Sequence, residues 1–383
     1  MADESSAFRY LLDCLAARPL PDPPADADWD ALYSLLVRHR LAARFHALIK
    51  PRQARWPESF RERLRLFRAA QGMYGEQCGL RVRQSLAALK DARVSVIVLK
   101  GWAYIQTIYG GDASQRLCED VDLLVHPRRV DAAEAALARL GCEPERESWP
   151  GYHRRYTNGE RLFFPSRLGN PANTFSIGLH WGLIHIPSYD ARRVDMDKLF
   201  ARTRPLNVAG VDALELGAED EVVYACAHWG LHHRFDPALF RYYEIAAQIA
   251  RAGESLCWEV AAARAREWRL TIPVREGLER VERLWPGTVP RSAREALAGL
   301  SPARGERFVH AWNGLTVKYP ALAHLLTWLT FPDWRQRPLI ALQDVFPSRA
   351  YMEWRYGRAP FGFWPWLYAR RFLRALPCFR ERS

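Results

Sequence analysis

The sequence VSVIVLKGW at residues 94–102 begins with a short apolar run rich in β-branched residues and ends in Lys100, Gly101 and Trp102. Such runs are typical of buried β-strands. A second stretch, RLCEDVDLLV at residues 116–125, predicts another strand over Val121–Val125. Because Lys100 and Gly101 end the first strand and open a helix, the N–H groups and dipole of that helix favour phosphate.

Two carboxylates alternate with apolar residues at the start of the second strand. Asp120 and Asp122 flank Val121, so both carboxylates point to one face of the strand and we expect that face to be open. Two neighbouring carboxylates repel each other unless a cation lies between them, and hard oxygen ligands suit Mg²⁺, with Mn²⁺ as the alternative ion. The other interpretation is a strand edge with solvated aspartates, but an otherwise apolar strand favours the metal site.

The rest of the chain is mainly helical in pattern. Apolar residues recur at helical spacing through the first ninety residues and again from Glu219 onward. Further strands are predicted around Arg161–Phe164 and Thr174–Leu179, paired with each other. The sequence therefore predicts an α+β fold in which a small mixed β-sheet is flanked by helical regions. We expect four segments, listed here: residues 1–90 (helical), 91–205 (α/β core), 206–345 (helical) and 346–383 (basic and aromatic).

The composition excludes several classes of protein. The 383 residues are 49% hydrophobic and 26% charged, as in folded globular proteins rather than disordered or fibrous ones. No apolar segment is long enough for a transmembrane helix, and the acidic N-terminus does not resemble a secretory signal. Seven scattered cysteines without a C-x-x-C pair argue against a disulfide framework or a zinc ribbon. We therefore expect a cytoplasmic protein.

Basic charge is concentrated near the C-terminus. The net charge is +12, and residues 349–383 contain eight arginines and ten aromatic residues. This segment could contact nucleic acid or a membrane surface, but we favour a helix packed on the body of the protein through its aromatic residues. Nucleic acid is not an expected partner, and an RNA-modifying role rests on the net charge alone.

The motifs together resemble a known family. Lys-Gly after an apolar strand, followed by Arg116 and then the Asp-x-Asp motif of Asp120 and Asp122, is similar to the uncharacterised bacterial nucleotidyltransferases of the DNA polymerase β-like superfamily. The stretch LHW at residues 179–181 resembles a later strand of that family, and residues 227–246 resemble its histidine-rich helix pair. Phe346-Pro347 and residues 355–357 also resemble its C-terminal region.

The resemblance implies transfer of a nucleoside monophosphate from an NTP, with ATP as the expected nucleotide and pyrophosphate leaving. Under it, Asp120 and Asp122 are catalytic residues that hold the metal. The expected nucleotide-binding residues are Lys100, Gly101, Trp102 and Arg116. Lys100 and Arg116 would neutralise phosphate charge, and Gly101 would let the backbone approach the triphosphate. The acceptor could be a small molecule, a protein, or a peptide or natural-product intermediate.

One position departs from the family pattern. Relatives carry a third carboxylate two residues before His-Trp, where this chain has Gly178. Either Glu244 supplies the acid, or His180 acts as the base, or the chain is a nucleotide-binding or scaffold protein with impaired catalysis. If catalysis is impaired by the missing acid, a Gly178→Asp substitution is expected to increase transfer; if Glu244 or His180 already serves, the wild type is expected to transfer label.

Two histidines one helical turn apart give weaker evidence, in this case for a transition-metal site. His228 and His232 lie at i and i+4, a spacing that can bind a transition metal. No H-E-x-x-H glutamate lies between them, so we favour packing or acceptor contact over a zinc site.

Overall fold

The structure is a computed structural model that describes residues 6–16, 19–156, 159–165, 175–186, 189–318 and 323–375. Within these ranges seven strands form one mixed sheet in the order β3-β4-β5-β2-β1-β7-β6. The strands are β1 (Val96–Leu99), β2 (Asp120–Val125), β3 (Cys142–Pro144), β4 (Glu160–Pro165), β5 (Ser176–His180), β6 (Arg204–Val208) and β7 (Val211–Glu215).

Helices surround this sheet. In chain order they are α1 (Ser6–Ala16), α2 (Trp29–Arg38), α3 (Ala42–Ile49), α4 (Glu58–Asp91), α5 (Lys100–Thr107), α6 (Val130–Arg139), α7 (Tyr152–Tyr156), α8 (Met196–Ala201), α9 (Ala218–His232), α10 (Leu239–Ala252), α11 (Trp258–Glu267), α12 (Thr271–Leu284), α13 (Arg291–Ala298), α14 (Arg304–Lys318), α15 (Ala323–Thr330), α16 (Arg337–Val345), α17 (Arg349–Tyr356) and α18 (Pro365–Ala375). Across the described ranges, none of the helices combines the length and the apolar character needed to cross a membrane. The predicted α+β class is confirmed.

The strand pairing brings the two motifs together. β1 pairs antiparallel with β2, so that Leu99 lies opposite Asp122, and β2 pairs parallel with β5, so that Asp122 lies opposite Gly178. β4 then pairs antiparallel with β5, which places Glu160 opposite His180. The predicted pairing of the two later strands is confirmed; Thr174, at the predicted start of the second, lies outside the described residues.

The two faces of the central strands differ in chemistry. Val121 and Leu123 are buried on one face, whereas Asp120 and Asp122 point to the other, as the alternation predicts. Because side chains alternate along paired strands, Gly178 and Glu160 share the face of the aspartates. The polar face therefore collects side chains from three adjacent strands.

One buried core unites the helical N-terminal region, the sheet and the following helices, and it runs from Ala7 to Leu297. The sheet also extends beyond position 205, because β6 and β7 add an antiparallel pair next to β1. The sequence did not predict these two strands. The segment boundaries drawn from the sequence stay a prediction.

The C-terminal segment packs on the body of the protein. Met352 of α17 and Leu367 of α18 are buried, and Trp149 donates a hydrogen bond from Nε1 to the carbonyl of Phe346 (2.8 Å). Trp354 nevertheless stays about half exposed. Residues 376–383, the end of the predicted basic segment, lie outside the described residues.

Candidate functional site

Asp122 is the centre of the polar face. Its Oδ2 lies 3.1 Å from Lys100 Nζ, and its Oδ1 lies 2.9 Å from His180 Nε2. Burial would raise the pKa of Asp122, but Lys100 and His180 outweigh this effect and hold the pKa well below its usual range. The expected open face is only partly found, because Asp122 is 5% exposed. It is buried among charged groups rather than in the apolar core.

Asp120 lies two residues earlier on the same face and is exposed. Partial desolvation and the negative charge of Asp122 raise the pKa of Asp120, while Lys100 and Arg116 oppose the shift. The contribution of Asp122 to this shift reflects repulsion between the two carboxylates, which a bound cation would relieve. The pair thus offers one accessible and one buried carboxylate to a hard cation.

Lys100 sits where the chain turns from β1 into α5. Its φ of +35° is rare for a residue other than glycine, and the next residue, Gly101, has a non-helical φ of 4° and ψ of −82°. A Cβ built on Gly101 would lie 3.1 Å from Cys118 Sγ, so a larger residue would press on that sulfur. The turn brings the lysine Nζ to Asp122 and, at 2.7 Å, to His228 Nε2.

The position of the missing carboxylate is crowded. A Cβ built on Gly178 would lie 2.8 Å from Asp122 Oδ1, 2.9 Å from His180 Nε2 and 3.3 Å from Glu160 Oε1. Glu160 therefore brings a carboxylate from β4 to the place where the resemblance implies one on β5. Burial would raise the pKa of Glu160, but His180 and His185 outweigh it and lower the pKa to about 2.

His180 lies between two carboxylates, with its Nε2 at 2.9 Å from Asp122 and 3.5 Å from Glu160. Burial would lower the pKa of His180, but Glu160 and Asp122 outweigh that effect and raise the pKa overall. Raising the pKa favours the imidazolium, which has no lone pair for a proton. This geometry therefore favours a cation that bridges carboxylates over the predicted general base.

Other histidines extend this polar cluster. The ring of His185 lies 3.9 Å from that of His232, which stacks on His228 at 4.8 Å. Burial, and then neighbouring positive charges, lower the pKa of His228 and of His232 well below the usual value, so both are neutral at pH 7. Since His228 Nε2 accepts from Lys100, this pair packs in the site as the sequence analysis favours.

Arg116 and Glu244 form a buried ion pair beside this cluster. Arg116 Nε lies 2.6 Å from Glu244 Oε1, and the Tyr109 hydroxyl donates to the same oxygen (3.1 Å). The guanidinium also lies over the ring of Phe240 at 4.5 Å. The partner of Arg116 is thus Glu244 of α10. Glu244 is committed to that arginine, so the geometry favours a positioning role over the predicted acid.

Trp102 differs from its predicted role. It is 3% exposed, and it packs on α4, where a Cβ built on Gly79 would lie 3.3 Å from the indole ring. A buried indole cannot stack on a nucleotide base at the surface. Trp102 is therefore a core residue beneath the site.

Two residues close to the centre of the site, Glu160 and His185, were missed by the sequence analysis. Glu160 reaches His180 only through the pairing of β4 with β5, and no local pattern marks that pairing. His185 had a faint signal, because it follows His180 by five residues in the stretch HWGLIH.

Residues 25–286 match a family model described as an uncharacterised nucleotidyltransferase. This range contains all seven strands and every site residue named above, while α13 to α18 follow it. No curated protein and no solved structure matches the chain.

Proposed function

The chain belongs to the uncharacterised nucleotidyltransferase family, and on this premise we propose that it transfers a nucleoside monophosphate from an NTP, with ATP as the expected donor, to a small-molecule, peptide or protein acceptor. The acceptor atom attacks the α-phosphorus, the bond from that phosphorus to the bridging oxygen breaks, and pyrophosphate leaves. The acceptor loses its proton to a base or to solvent.

The observation that carries this proposal is the meeting of Asp120, Asp122 and Lys100 where β1 and β2 lie side by side. Asp120 and Asp122 would hold a divalent cation, Mg²⁺ or Mn²⁺, because a crowded carboxylate pair is a donor set that such ions prefer. When bound, such an ion neutralises phosphate charge. The two carboxylates orient the NTP, and Asp120 is the one of the two that is accessible to solvent.

Two basic side chains support binding of a triphosphate. Lys100 lies at the strand-to-helix turn, and Arg116 is fixed by Glu244 four residues before Asp120. Phosphoryl-type transfer depends on positioning and on charge neutralisation more than on covalent chemistry by the protein. A fixed lysine and a fixed arginine beside two carboxylates meet both needs.

Glu160 bears on the choice between an active enzyme and a protein that only binds nucleotide. Gly178 leaves β5 without an acid, which favours the binding or scaffold alternative. The Glu160 carboxylate lies 3.3 Å from the Cβ position of Gly178. We therefore favour an active enzyme in which the third carboxylate comes from β4.

The cysteines that the structure describes are free thiols, which supports a cytoplasmic location.

The test is calorimetry with ATP, GTP, CTP and UTP, with and without Mg²⁺, combined with label transfer from α-³²P-NTP to acceptors in a cell extract. Asp120→Asn is the sharpest variant because Asp120 is exposed, so its loss should leave folding intact. Together with Asp122→Asn, it should reduce Mg²⁺-dependent binding sharply. Lys100→Ala should weaken binding by about 1–3 kcal/mol, the usual range for a charged hydrogen bond.

Lys90→Ala is the matched control, because Lys90 is an exposed lysine paired with Asp212, away from the aspartate pair. It should leave NTP binding unchanged. Unaltered NTP affinity in the double aspartate variant would rule the proposal out. Binding of Mg²⁺–NTP without any label transfer would favour the nucleotide-binding alternative.

A further inference from the structure

We propose that Glu160, His180 and His185 form a second cation site, which takes a divalent first-row transition ion such as Mn²⁺, Co²⁺ or Zn²⁺. This site adjoins the Asp120–Asp122 pair assigned above to Mg²⁺, and it includes the Glu160 carboxylate that the proposed function uses as the third acid. The inference goes beyond the proposed function, since it concerns metal binding and does not require nucleotide transfer.

The three ligand atoms converge. One nitrogen or carboxylate oxygen from each of Glu160, His180 and His185 lies within 4.8 Å of the other two. Glu160 Oε2 is 2.9 Å from His185 Nε2, and Glu160 Oε1 is 3.5 Å from His180 Nε2. Ligands about 2.0–2.2 Å from a shared ion lie at such separations from one another. The glutamate thus joins both imidazoles, one through each oxygen.

Gly178 keeps this place open. Its missing Cβ would lie 2.9 Å from the same His180 nitrogen and 3.3 Å from the same Glu160 oxygen. Any side chain on β5 at this position would therefore fill the space between the ligands. A glycine in the middle of a buried strand weakens the strand. The need to leave space between the metal ligands explains why a glycine stands at this position.

The ligands are held before any ion arrives. His180 is fully buried on β5, and the β4–β5 pairing sets Glu160 opposite it. His232 lies against the ring of His185 and limits its rotation. The side chains of His185 and Glu160 are 17% and 22% exposed, which leaves a route for an ion from solvent.

The donor set selects the class of ion. Imidazole suits Zn²⁺, Fe²⁺ and neighbouring ions, whereas Mg²⁺ prefers oxygen ligands alone. Two imidazoles and one carboxylate leave coordination positions free, as sites that bind water or substrate do. The site also adjoins the Mg²⁺ pair, because Asp122 Oδ1 lies 2.9 Å from His180 Nε2. An ion bound at that nitrogen would replace its present contact with Asp122.

The test uses the full chain, freed of metal by a chelator and titrated with Zn²⁺ or Mn²⁺ by calorimetry, and with Co²⁺ by visible absorption. The wild type should bind one equivalent of each ion, in the presence of excess Mg²⁺, and Co²⁺ should develop the absorption of a nitrogen-ligated ion. His185→Ala and Glu160→Gln should each weaken binding at least about tenfold. Both residues are partly exposed, and circular dichroism checks that the variants fold.

His310→Ala is the matched control, since His310 pairs with Glu276 at 3.4 Å, a histidine–carboxylate pair that belongs to no three-ligand cluster among the described residues. It should bind the ions like the wild type. Asp120→Asn separates the two proposals, because it should lower Mg²⁺–NTP binding while one Co²⁺ still binds. The second site is refuted if the wild type binds no equivalent under excess Mg²⁺, or if folded His185→Ala and Glu160→Gln both bind like the wild type.

Discussion

Gly178 shows how a single missing side chain can organise a charged site. Asp122 and His180 occupy the space where its Cβ would lie, and they contact each other there at 2.9 Å. From the sequence alone, the absence of an acid at this position predicts impaired catalysis that Gly178→Asp is expected to relieve. The structure argues against that expectation, because the added atoms would enter the contact between the carboxylate and the imidazole.

We predict that Gly178→Ala and Gly178→Asp both impair the protein. Either change forces Asp122 or His180 to shift, and overpacking of this kind costs about 1–3 kcal/mol of unfolding free energy. The Mg²⁺-dependent affinity for NTP should fall together with the unfolding free energy, and Gly178→Asp should not increase label transfer. Denaturant unfolding and calorimetry measure the two effects.

Gly299→Ala serves as the control for the glycine change. No atom lies within 4 Å of a Cβ built at Gly299, and its φ is negative, so alanine fits there. It should leave both stability and affinity near the wild-type values. A Gly178→Asp variant that folds and transfers label faster than the wild type would restore the original expectation.

At the scale of elements, helix α10 fixes the side chain of Arg116, which lies in the loop before β2. Glu244 of α10 pairs with Arg116, which leads into the strand that carries both aspartates. The pair is buried, so removing one partner leaves an uncompensated charge in the protein. Glu244 thus fixes the position of the Arg116 guanidinium and does not itself act on the reacting atoms.

We predict that Glu244→Gln weakens NTP binding through Arg116. Glutamine still accepts one hydrogen bond but leaves the guanidinium charge unbalanced, which should cost roughly 1–3 kcal/mol of stability. KM for the NTP should rise while kcat changes little. Glu295→Gln, in the exposed pair with Arg291, should change stability by less than about 0.5 kcal/mol. A large loss of kcat at unchanged NTP affinity would instead identify Glu244 as the catalytic acid.

The sequence predicts elements well where the signal is local. The apolar run before Lys100 and the alternation around Asp120 and Asp122 predict β1, β2 and their polar face. Pairing between distant strands is not written in any local pattern, so the role of Glu160 was not predicted. The strands β6 and β7 were missed because each has only five residues and includes polar ones such as Arg204 and Asp212, which weakens its apolar pattern.

At the scale of the whole molecule, α9 carries buried ionisable groups that respond to pH in opposite directions. His228 and His232 stay neutral beside Lys100, so protonation below about pH 6.5 should destabilise the fold. Glu221, two to three turns earlier, is buried, and the Tyr104 hydroxyl donates to its Oε1 (2.5 Å). Burial thus favours the uncharged forms of Glu221, His228 and His232.

Glu221 gives the sharper prediction. Burial, opposed by the Tyr104 hydrogen bond, raises its pKa from 4.5 to about 7. A group with a raised native pKa contributes stability that is complete below pH 4.5 and is lost as the pH rises through 7. The interval between these two pKa values corresponds to roughly 3 kcal/mol at 1.36 kcal/mol per pH unit.

Relative to the wild type, Glu221→Gln should therefore gain unfolding free energy between pH 5 and pH 8, in denaturant titrations across that range. Glu279→Gln, at an exposed position of α12, should show a constant difference instead. A constant difference for Glu221→Gln as well would mean that this carboxyl is already ionised at pH 5, with water or another cation reaching it inside the core.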